Sequence, residues 1–452
     1  MSYATAPYSQ AIAELNRMAP ELHTQPGTPR RKFSLDEIRI LLEALGDPHK
    51  KFRSVLIAGT NGKGSTAATL ASILQSSGPR VGLYTSPHLE RPNERIKISG
   101  PGAAGAENRL LDISDDAFGR RYFQVHDSAQ QLVLSGALAQ LPSFFETLTA
   151  MAFLHFAEEA VEIAVLEVGI GGRLDATNIV DPLLSVITDI SLDHMEWLGP
   201  TITDITREKA GILRPNGTLV TLPQHPEANQ VLGKIAVSLN VRGVSATPYM
   251  PTMNAGDTYP VEVLNEEIEV ASPLHGPHQQ RNIALAIAAA VELATNYGLP
   301  VTPGSIAAGI RNTRWPGRLE SISAHGTQWV VDVAHNPAGA WALRASLREI
   351  DPAPRTIIFS CLKDKPLAEL AQILFPIFDQ IVFSPIASLR ATPMQELLAA
   401  AEQTGTPAHA AETVLEALSF AQQHADGAPI VVSGSVYLVG EARKLLLEQG
   451  AQ

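Results

Sequence analysis

The sequence predicts an α/β protein in which a larger, mainly parallel sheet domain organised by a phosphate-binding loop is followed by a smaller Rossmann-like α/β domain. Three observations carry that expectation. Helical patterns alternate with short β-branched runs along most of the 452 residues, the pattern of parallel strands joined by crossover helices. A glycine loop bearing a lysine directly follows the first of those runs. A second strand rhythm begins after "NTRWPGRLES", where Pro316 and Gly317 interrupt the preceding helix.

Residues 1–312 are therefore read as the first domain and 313–452 as the second, with the boundary between Asn312 and Arg318. The second unit has roughly 140 residues, a common domain size. In the first, "VLIA" from Val55 reads as a short buried strand and the stretch from Thr66 to Gln75 as a helix of small residues. Further strands are expected at "VGLYTS" (81), "EIAVLEVG" (162), "LLSVITDI" (183) and "GTLVTL" (217). The run "IALAIAAAVELA" from Ile283 is too short, and too interrupted by Glu292, to span a bilayer, so it reads as a buried helix. Gly100 to Gln140, opening with "PGAAGAE", breaks the rhythm and is expected to be a surface insertion or mobile loop. The second domain shows "QWVVDVA" (328), "TIIFSC" (356), "QIVFSP" (380) and "PIVVSGS" (429), separated by helical stretches. No fixed-period repeat is present.

Composition excludes several classes. With 34 Lys and Arg against 46 Asp and Glu, the formal charge of -12 argues against a broad nucleic-acid surface. The single cysteine, Cys361, rules out an intrachain disulfide and a Cys-based zinc site, and reads as a core residue beside a strand. The N-terminus carries Glu14 and Arg17 without a signal-peptide core, so a soluble cytoplasmic protein, without a membrane partner, is the expectation.

The loop "VLIAGTNGKGSTAATL" has Ile57 where a phosphate loop usually has its first glycine, and Gly64 between Lys63 and Ser65. Its physics is nonetheless sound. Gly59, Gly62 and Gly64 let backbone N–H groups approach an anion, the helix N-terminus adds partial positive charge, and Lys63 reaches terminal phosphates. A Ser65 or Thr66 hydroxyl can face a magnesium ion. The first domain is thus expected to be an ATPase-type domain.

Other candidate residues gather just past strand ends, where open parallel sheets bind ligands. Two domains each offering such an edge suggest a ligand held in the cleft between them. Glu167, followed by Gly169, Gly171 and Gly172, is a strand-end cap or, beside a phosphate loop, a magnesium ligand. Asp193 and His194 follow "LLSVIT" and suit a metal or phosphate role as well as a plain polar one. Lys209 lies in the charge run Arg207, Glu208, Lys209, a pattern that usually marks a solvated helix face and by itself assigns no function. Phe144, Phe145 and Glu146 either begin a core helix capped by Ser143 or stack on a flat heterocycle, the core reading leading. His278, Gln279 and Asn282 at a helix entry either cap it or read an adenine edge; Arg318 can clamp phosphate; Asp332 and His335 face the strand-end crevice of the second domain.

Taken together, "AGTNGKGS", "YTSPHL" with "NERI", "SFFETLTAMAF", "LEVGIGGRLDATNIV", "LDHMEWLGPTITDITREKAGI", "HQQRN", "WPGRLE", "VDVAHNP" and "SGSVYLVG" resemble the folylpolyglutamate synthase and dihydrofolate synthase family of the Mur ligase superfamily. These motifs run in the family's order from about residue 58 to 440, and the family's loop also varies at the positions of Ile57 and Gly64.

The resemblance implies an ATP-dependent amide ligase that adds L-glutamate to dihydropteroate and to reduced folates through an acyl phosphate. By position, Thr60, Asn61, Gly62, Lys63, Gly64 and Ser65 would hold ATP phosphates, and Ser86, Glu167 and His194 would be Mg²⁺ ligands. Lys209 matches a lysine carried as a carbamate, which overturns the reading from pattern alone; Lys63, Lys209 and His194 become the catalytic candidates. Asn282, Arg318, Asp332 and His335 resemble nucleotide contacts; Ser143, Phe144, Phe145, Glu146, Leu174, Asp175 and Ala176 match stretches lining the pterin pocket. A monovalent cation is a further candidate cofactor, and a monomer is expected. Glu90 and Pro92 stand where relatives often carry apolar or aromatic residues, and "HTQPGTPRRKFSL" falls where the family contributes to the pterin site but matches it weakly. Two narrower readings stay open: polyglutamylation alone, or another Mur-type amino-acid ligase, against which "SFFETLTAMAF" and "GGRLDATN" speak.

Overall fold

The computed structural model describes residues 7–18, 34–100, 109–252 and 258–450. It divides into two compact units: Met1–Ser86, Pro92–Ala271 and Asn282–Thr313 form the first, and Pro87–Arg91, Ser272–Arg281 and Arg314–Gln452 the second. Most of "HTQPGTPRRKFSL" and the whole of "PGAAGAE" lie outside the described residues.

The first unit is built on eight strands: β1 (Arg53–Ala58), β2 (Val81–Tyr84), β3 (Ile96–Gly100), β4 (Arg109–Asp112), β5 (Ile163–Glu167), β6 (Leu184–Ile187), β7 (Thr218–Thr221) and β8 (Arg242–Ser245). Their order is β4-β3-β2-β5-β1-β6-β7-β8. From β2 to β8 every pairing is parallel; β3 and β4 join antiparallel at one edge. Both faces of β1 are buried, as the unbroken apolar run requires of a central parallel strand. Leu56 and Ala58 face a core shared with the helices Tyr8–Arg17, Leu35–Ala44, Asp115–Leu134 and Phe144–Glu158. The hairpin β9 (Thr258–Val263) and β10 (Glu266–Ala271), which alternates exposed and buried residues along β9, packs on the helix Pro303–Arg311.

Two expectations need correction. The helix after the phosphate loop begins at Lys63, not Thr66, so Lys63, Gly64 and Ser65 are its first turn. The stretch from Gly100 to Gln140 is not a loop in its described part: it forms β4 and the 20-residue helix Asp115–Leu134, capped by Ser114. Phe118, Tyr122, Val125 and Ala129 are fully buried in the core. They recur at helical spacing, but the surrounding polar residues mask the periodicity, and burial is decided by the partner helices.

The second unit holds β11 (Glu320–Ala324), β12 (Thr327–Val331), β13 (Thr356–Phe359), β14 (Gln380–Phe383), β15 (Ala408–Ala410) and β16 (Ile430–Ser433), ordered β11-β12-β16-β13-β14-β15. Only β11 runs antiparallel. Alternation along the strands builds two cores: Ile357, Phe359, Ile381 and Phe383 on one face, Ile358, Val382, Ile430 and Val432 on the other. Cys361 is fully buried just past β13, its thiol pushed up by burial.

No described helix is long and apolar enough to cross a membrane.

Candidate active site

Strand register assembles the site of the first unit. Ile57 pairs with Glu167, and Ala58 with Ile187, so the loop leaving β1 emerges level with the ends of β5 and β6. Gly62 takes the left-handed conformation (φ 86°) as the helix N-cap, where a side chain would be strained and would overlap the Asn282 amide. Gly59 is packed as closely against Thr188. The Thr60 and Asn61 amides both donate to the Asp189 carbonyl, at 2.8 and 3.2 Å, and the Thr60 hydroxyl donates to Ser191 O at 3.0 Å. Thr60 and Asn61 thus anchor the loop to the chain after β6. The amides left to meet an anion are those from Gly62 onward, where the helix's first turn has no intrahelical acceptor. Lys63 folds back to the Thr60 carbonyl at 3.2 Å.

Lys209 sits where the charge run does not predict it. Its helix, Ile202–Ala210, turns Arg207 to Asp204 and Glu208 to Arg173, but Lys209 inward, where it is 4% exposed. Its Nζ donates to the Gly59 carbonyl at 2.7 Å. Burial, with a further push from Lys63, lowers its pKa to about 7, against the opposing pull of Asp193 and Asp175. At neutral pH a large share of this amine is unprotonated and nucleophilic.

Glu167 closes β5 and is 4% exposed; its carboxylate accepts from the Ser86 amide at 3.1 Å, so these two metal candidates are neighbours. His194 adopts a left-handed conformation at the start of the short Met195–Leu198 helix, its amide donating to its neighbour Asp193 at 2.9 Å. Among the described residues no group of three His, Cys, Asp or Glu side chains forms a ready metal cage. Magnesium seldom uses one: it takes one or two carboxylates and completes its shell with water and substrate phosphates. A buried carboxylate beside a phosphate loop, with a serine next to it, fits that habit.

The pterin-pocket candidates divide. Ser143 and Glu146 form a reciprocal capping box: the Glu146 carboxylate accepts from Ser143 N at 2.8 Å and Oγ at 2.7 Å, and Glu146 N donates to Ser143 Oγ. Phe145 is buried against Gly169, where a Cβ would lie 2.7 Å from its ring and 3.3 Å from the Asp175 carboxylate. Asp175 accepts from Ile170 N (3.1 Å), Thr177 N (3.0 Å) and Thr177 Oγ1 (2.6 Å), pinning the "GIGGRLDATN" loop. Burial pushes its carboxyl upward, opposed by these bonds. Ala176 is buried and Leu174 half-buried. Phe144 is half-buried, with the Arg95 guanidinium 5.2 Å from its ring centroid. Arg95, Asp189 and Ser191 are site neighbours that sequence reasoning missed; position beyond a strand end was the signal for the last two.

In the second unit, Asp332 follows β12 and commits both oxygens to backbone, Oδ2 to Leu319 N and Oδ1 to Ala334 N, each at 2.9 Å. It thereby ties the turn carrying Arg318 to the loop carrying His335. Arg318 donates to Gly317 O at 3.0 Å, and the His335 ring bonds Val333 O at 2.8 Å.

A phosphate loop on a parallel sheet, a buried low-pKa lysine at the loop's carbonyl, and a separate Rossmann-like unit define the class: an ATP-dependent amide ligase of the Mur type. The Mur ligase middle domain matches residues 127–290, and the Mur ligase glutamate ligase domain matches 317–436. A folylpolyglutamate synthase of Lacticaseibacillus casei is 35% identical, over 93% of this chain and 96% of its own length. A dihydrofolate synthase/folylpolyglutamate synthase of Bacillus subtilis is 34% identical, over 92% and 95%. The Mycobacterium tuberculosis folylpolyglutamate synthase, solved with ADP and AMPPCP, superposes with a TM-score of 0.84 at 33% identity, covering 97% of this chain and 98% of that one. The chain belongs to the folylpolyglutamate synthase and dihydrofolate synthase family of Mur ligases.

Proposed function

We propose that this protein joins L-glutamate to folate-type carboxylates at the expense of ATP, converting dihydropteroate to dihydrofolate and extending reduced folates through their γ-carboxylate. The observation that carries the reading is the 2.7 Å bond from the buried Lys209 amine to the Gly59 carbonyl, which puts a modifiable group at a nucleotide loop. The dual name of the Bacillus subtilis relative supports both activities.

A carboxylate does not react with an amine at neutral pH. Its oxygen first attacks the γ-phosphorus, the bond to the β-phosphate oxygen breaks and ADP leaves; the glutamate amine then attacks the acyl carbon, loses a proton and expels phosphate. Lys63 and the helix N-terminus offset negative charge on the phosphates during the first step. Ser86, Glu167 and His194 would hold Mg²⁺, which when bound supplies further charge neutralisation on the phosphates. Neutral Lys209 adds to carbon dioxide, forming an N–C bond and releasing a proton; the resulting anion gives the loop a second carboxylate-like group beside Lys63. Asn282, against Gly62, together with Arg318, Asp332 and His335, is assigned to the nucleotide. Phe144, Phe145, Leu174, Asp175 and Ala176 are assigned to the flat ring of the acceptor, with Ser143 and Glu146 fixing the helix that presents both phenylalanines. The protein acts as a cytoplasmic monomer in this reading, and a monovalent cation is tested alongside Mg²⁺.

The test is ADP release with Mg-ATP and L-glutamate, comparing 7,8-dihydropteroate with tetrahydrofolate and weighing each product by mass spectrometry. Turnover of both is expected. Tetrahydrofolate alone would restrict the activity to polyglutamylation, and turnover only with UDP-linked acceptors would move the chain to cell-wall chemistry.

A further inference from the structure

One arginine joins three segments of the second unit. Arg443, on the helix Val436–Gly450, grips Glu320 with Nε (2.9 Å to Oε2) and Nη2 (3.0 Å to Oε1). Its Nη1 donates to Glu90 at 3.0 Å. Glu320 Oε2 also accepts from the Gly317 amide at 2.8 Å. Glu90 belongs to the short Pro87–Arg91 segment, which is part of the second unit although the chain on either side of it lies in the first. The neighbouring Leu89 seats on the same body: a Cβ on Gly440 would overlap its carbonyl, and one on Gly317 would lie 3.2 Å from its Cδ1. The charged side chains are mostly buried, Arg443 at 19% and Glu90 at 24% exposure. Partly desolvated charge-assisted bonds in a bidentate array are stronger and more directional than surface pairs.

The two anchored segments are the ones that carry site candidates. Pro87 follows Ser86, whose amide bonds Glu167, and Gly317 precedes Arg318. We propose that Arg443 is a positioning residue for the ligase reaction: through Glu90 and Glu320 it fixes, within the second unit, both the Pro87–Arg91 segment that follows Ser86 and the turn bearing Arg318. The inference rests on the roles proposed above for Ser86 and Arg318. The apolar docking of Leu89 against this unit is thus supplemented by an ionic clamp. Apolar docking ignores salt; a clamp weakens with it.

The experiment uses the full-length enzyme with Arg443→Gln, Glu90→Gln, the double variant, Arg443→Lys and Glu90→Leu. Amide hydrogen exchange over residues 85–96, melting temperature and the kinetic constants are measured for each. Arg443→Gln is expected to speed exchange in that segment and lower kcat/KM by about tenfold or more, on the scale of a charge-assisted bond lost from the clamp. The double variant should match Arg443→Gln, because both changes break one network. Arg443→Lys should recover part of the loss, and Glu90→Leu should remove most of the salt sensitivity. Additive effects, or a lowered melting temperature with unchanged exchange at 85–96, would overturn the proposal. Should wild-type enzyme show no glutamate-dependent ADP release, the functional reading fails while the exchange arm still reports on the clamp.

Discussion

The Lys209 amine and the Gly59 carbonyl meet at 2.7 Å across 150 residues of sequence, and this one bond joins the helix after β6 to the loop after β1. A lysine held there has its charge disfavoured by burial, and its nitrogen lone pair is available near neutral pH.

Activity should therefore depend on Lys209 in a pH-dependent way. With a folded pKa of about 7, the neutral fraction falls from about 0.9 at pH 8 to about 0.1 at pH 6, so carbamate formation weakens as the solution is acidified. Lys209→Met is expected to lose about a hundredfold or more in kcat, as for removal of a charge that organises a transition state. Lys209→Ala should regain activity with millimolar short-chain carboxylates but not with matching chloride. If added bicarbonate at pH 6.5 does not raise wild-type turnover, the carbamate is not formed.

Gly62→Ala places a methyl group on the Asn282 amide and forces a left-handed alanine. Its backbone cost is about 1–2 kcal/mol. ADP affinity by calorimetry should fall at least tenfold. The Gly62→Ala/Asn282→Ala pair removes the overlap, so a further loss of affinity in the pair would mark the Asn282 amide as a nucleotide contact in its own right.

Chelation should abolish ADP release, and Mg²⁺ should restore it. Glu167→Gln keeps the shape and an acceptor oxygen for the Ser86 amide but removes the anion. A loss of about a hundredfold, with a raised Mg²⁺ requirement and little change in melting temperature, is expected.

Asp175→Ala leaves the Ile170 and Thr177 amides without their acceptor, at about 1–3 kcal/mol of stability. The pinned loop also backs Phe145, so acceptor KM should rise more than ATP KM. Equal changes in both would assign Asp175 to folding alone.

Acid stability should be limited by His155. It is 3% exposed, its Nδ1 has no partner among the described residues, and its pKa is lowered to about 4 by burial, with Arg121, Arg80 and Arg120 adding to the effect. Arg121 pairs with Glu158, and Arg80 with Glu159. A depressed folded pKa means that the unfolded chain binds the proton first. Stability is full above about pH 6.5 and is lost as pH falls toward 4, by about 3 kcal/mol in all. His155→Phe should flatten the melting-temperature profile across that window, while a parallel profile in the variant would assign the acid loss to other groups.

The sequence made the strands of both sheets legible wherever they are central, since β-branched runs such as Val55–Ala58 are buried on both faces in any parallel sheet. The edge strands β4, β8 and β15, and β3 next to β4, are short and largely exposed or half-exposed, so they carry no such signal. The helix Asp115–Leu134 reads as a loop in the sequence because polar residues crowd its apolar stripe, and only its partner helices make that stripe a core.

The sequence alone establishes a lysine-bearing phosphate loop running into a helix, carboxylates at strand ends and a second α/β unit. These are local matters of periodicity, glycine placement and capping. That the helix already begins at Lys63 is a finding of the structure. The tertiary structure alone decided that Lys209 turns inward from a charged run, that Asn282 closes on Gly62 and that Arg443 reaches Glu90 across 353 residues. Such pairings depend on strand register and helix rotation, and those follow from the packing of the whole core rather than from any one segment.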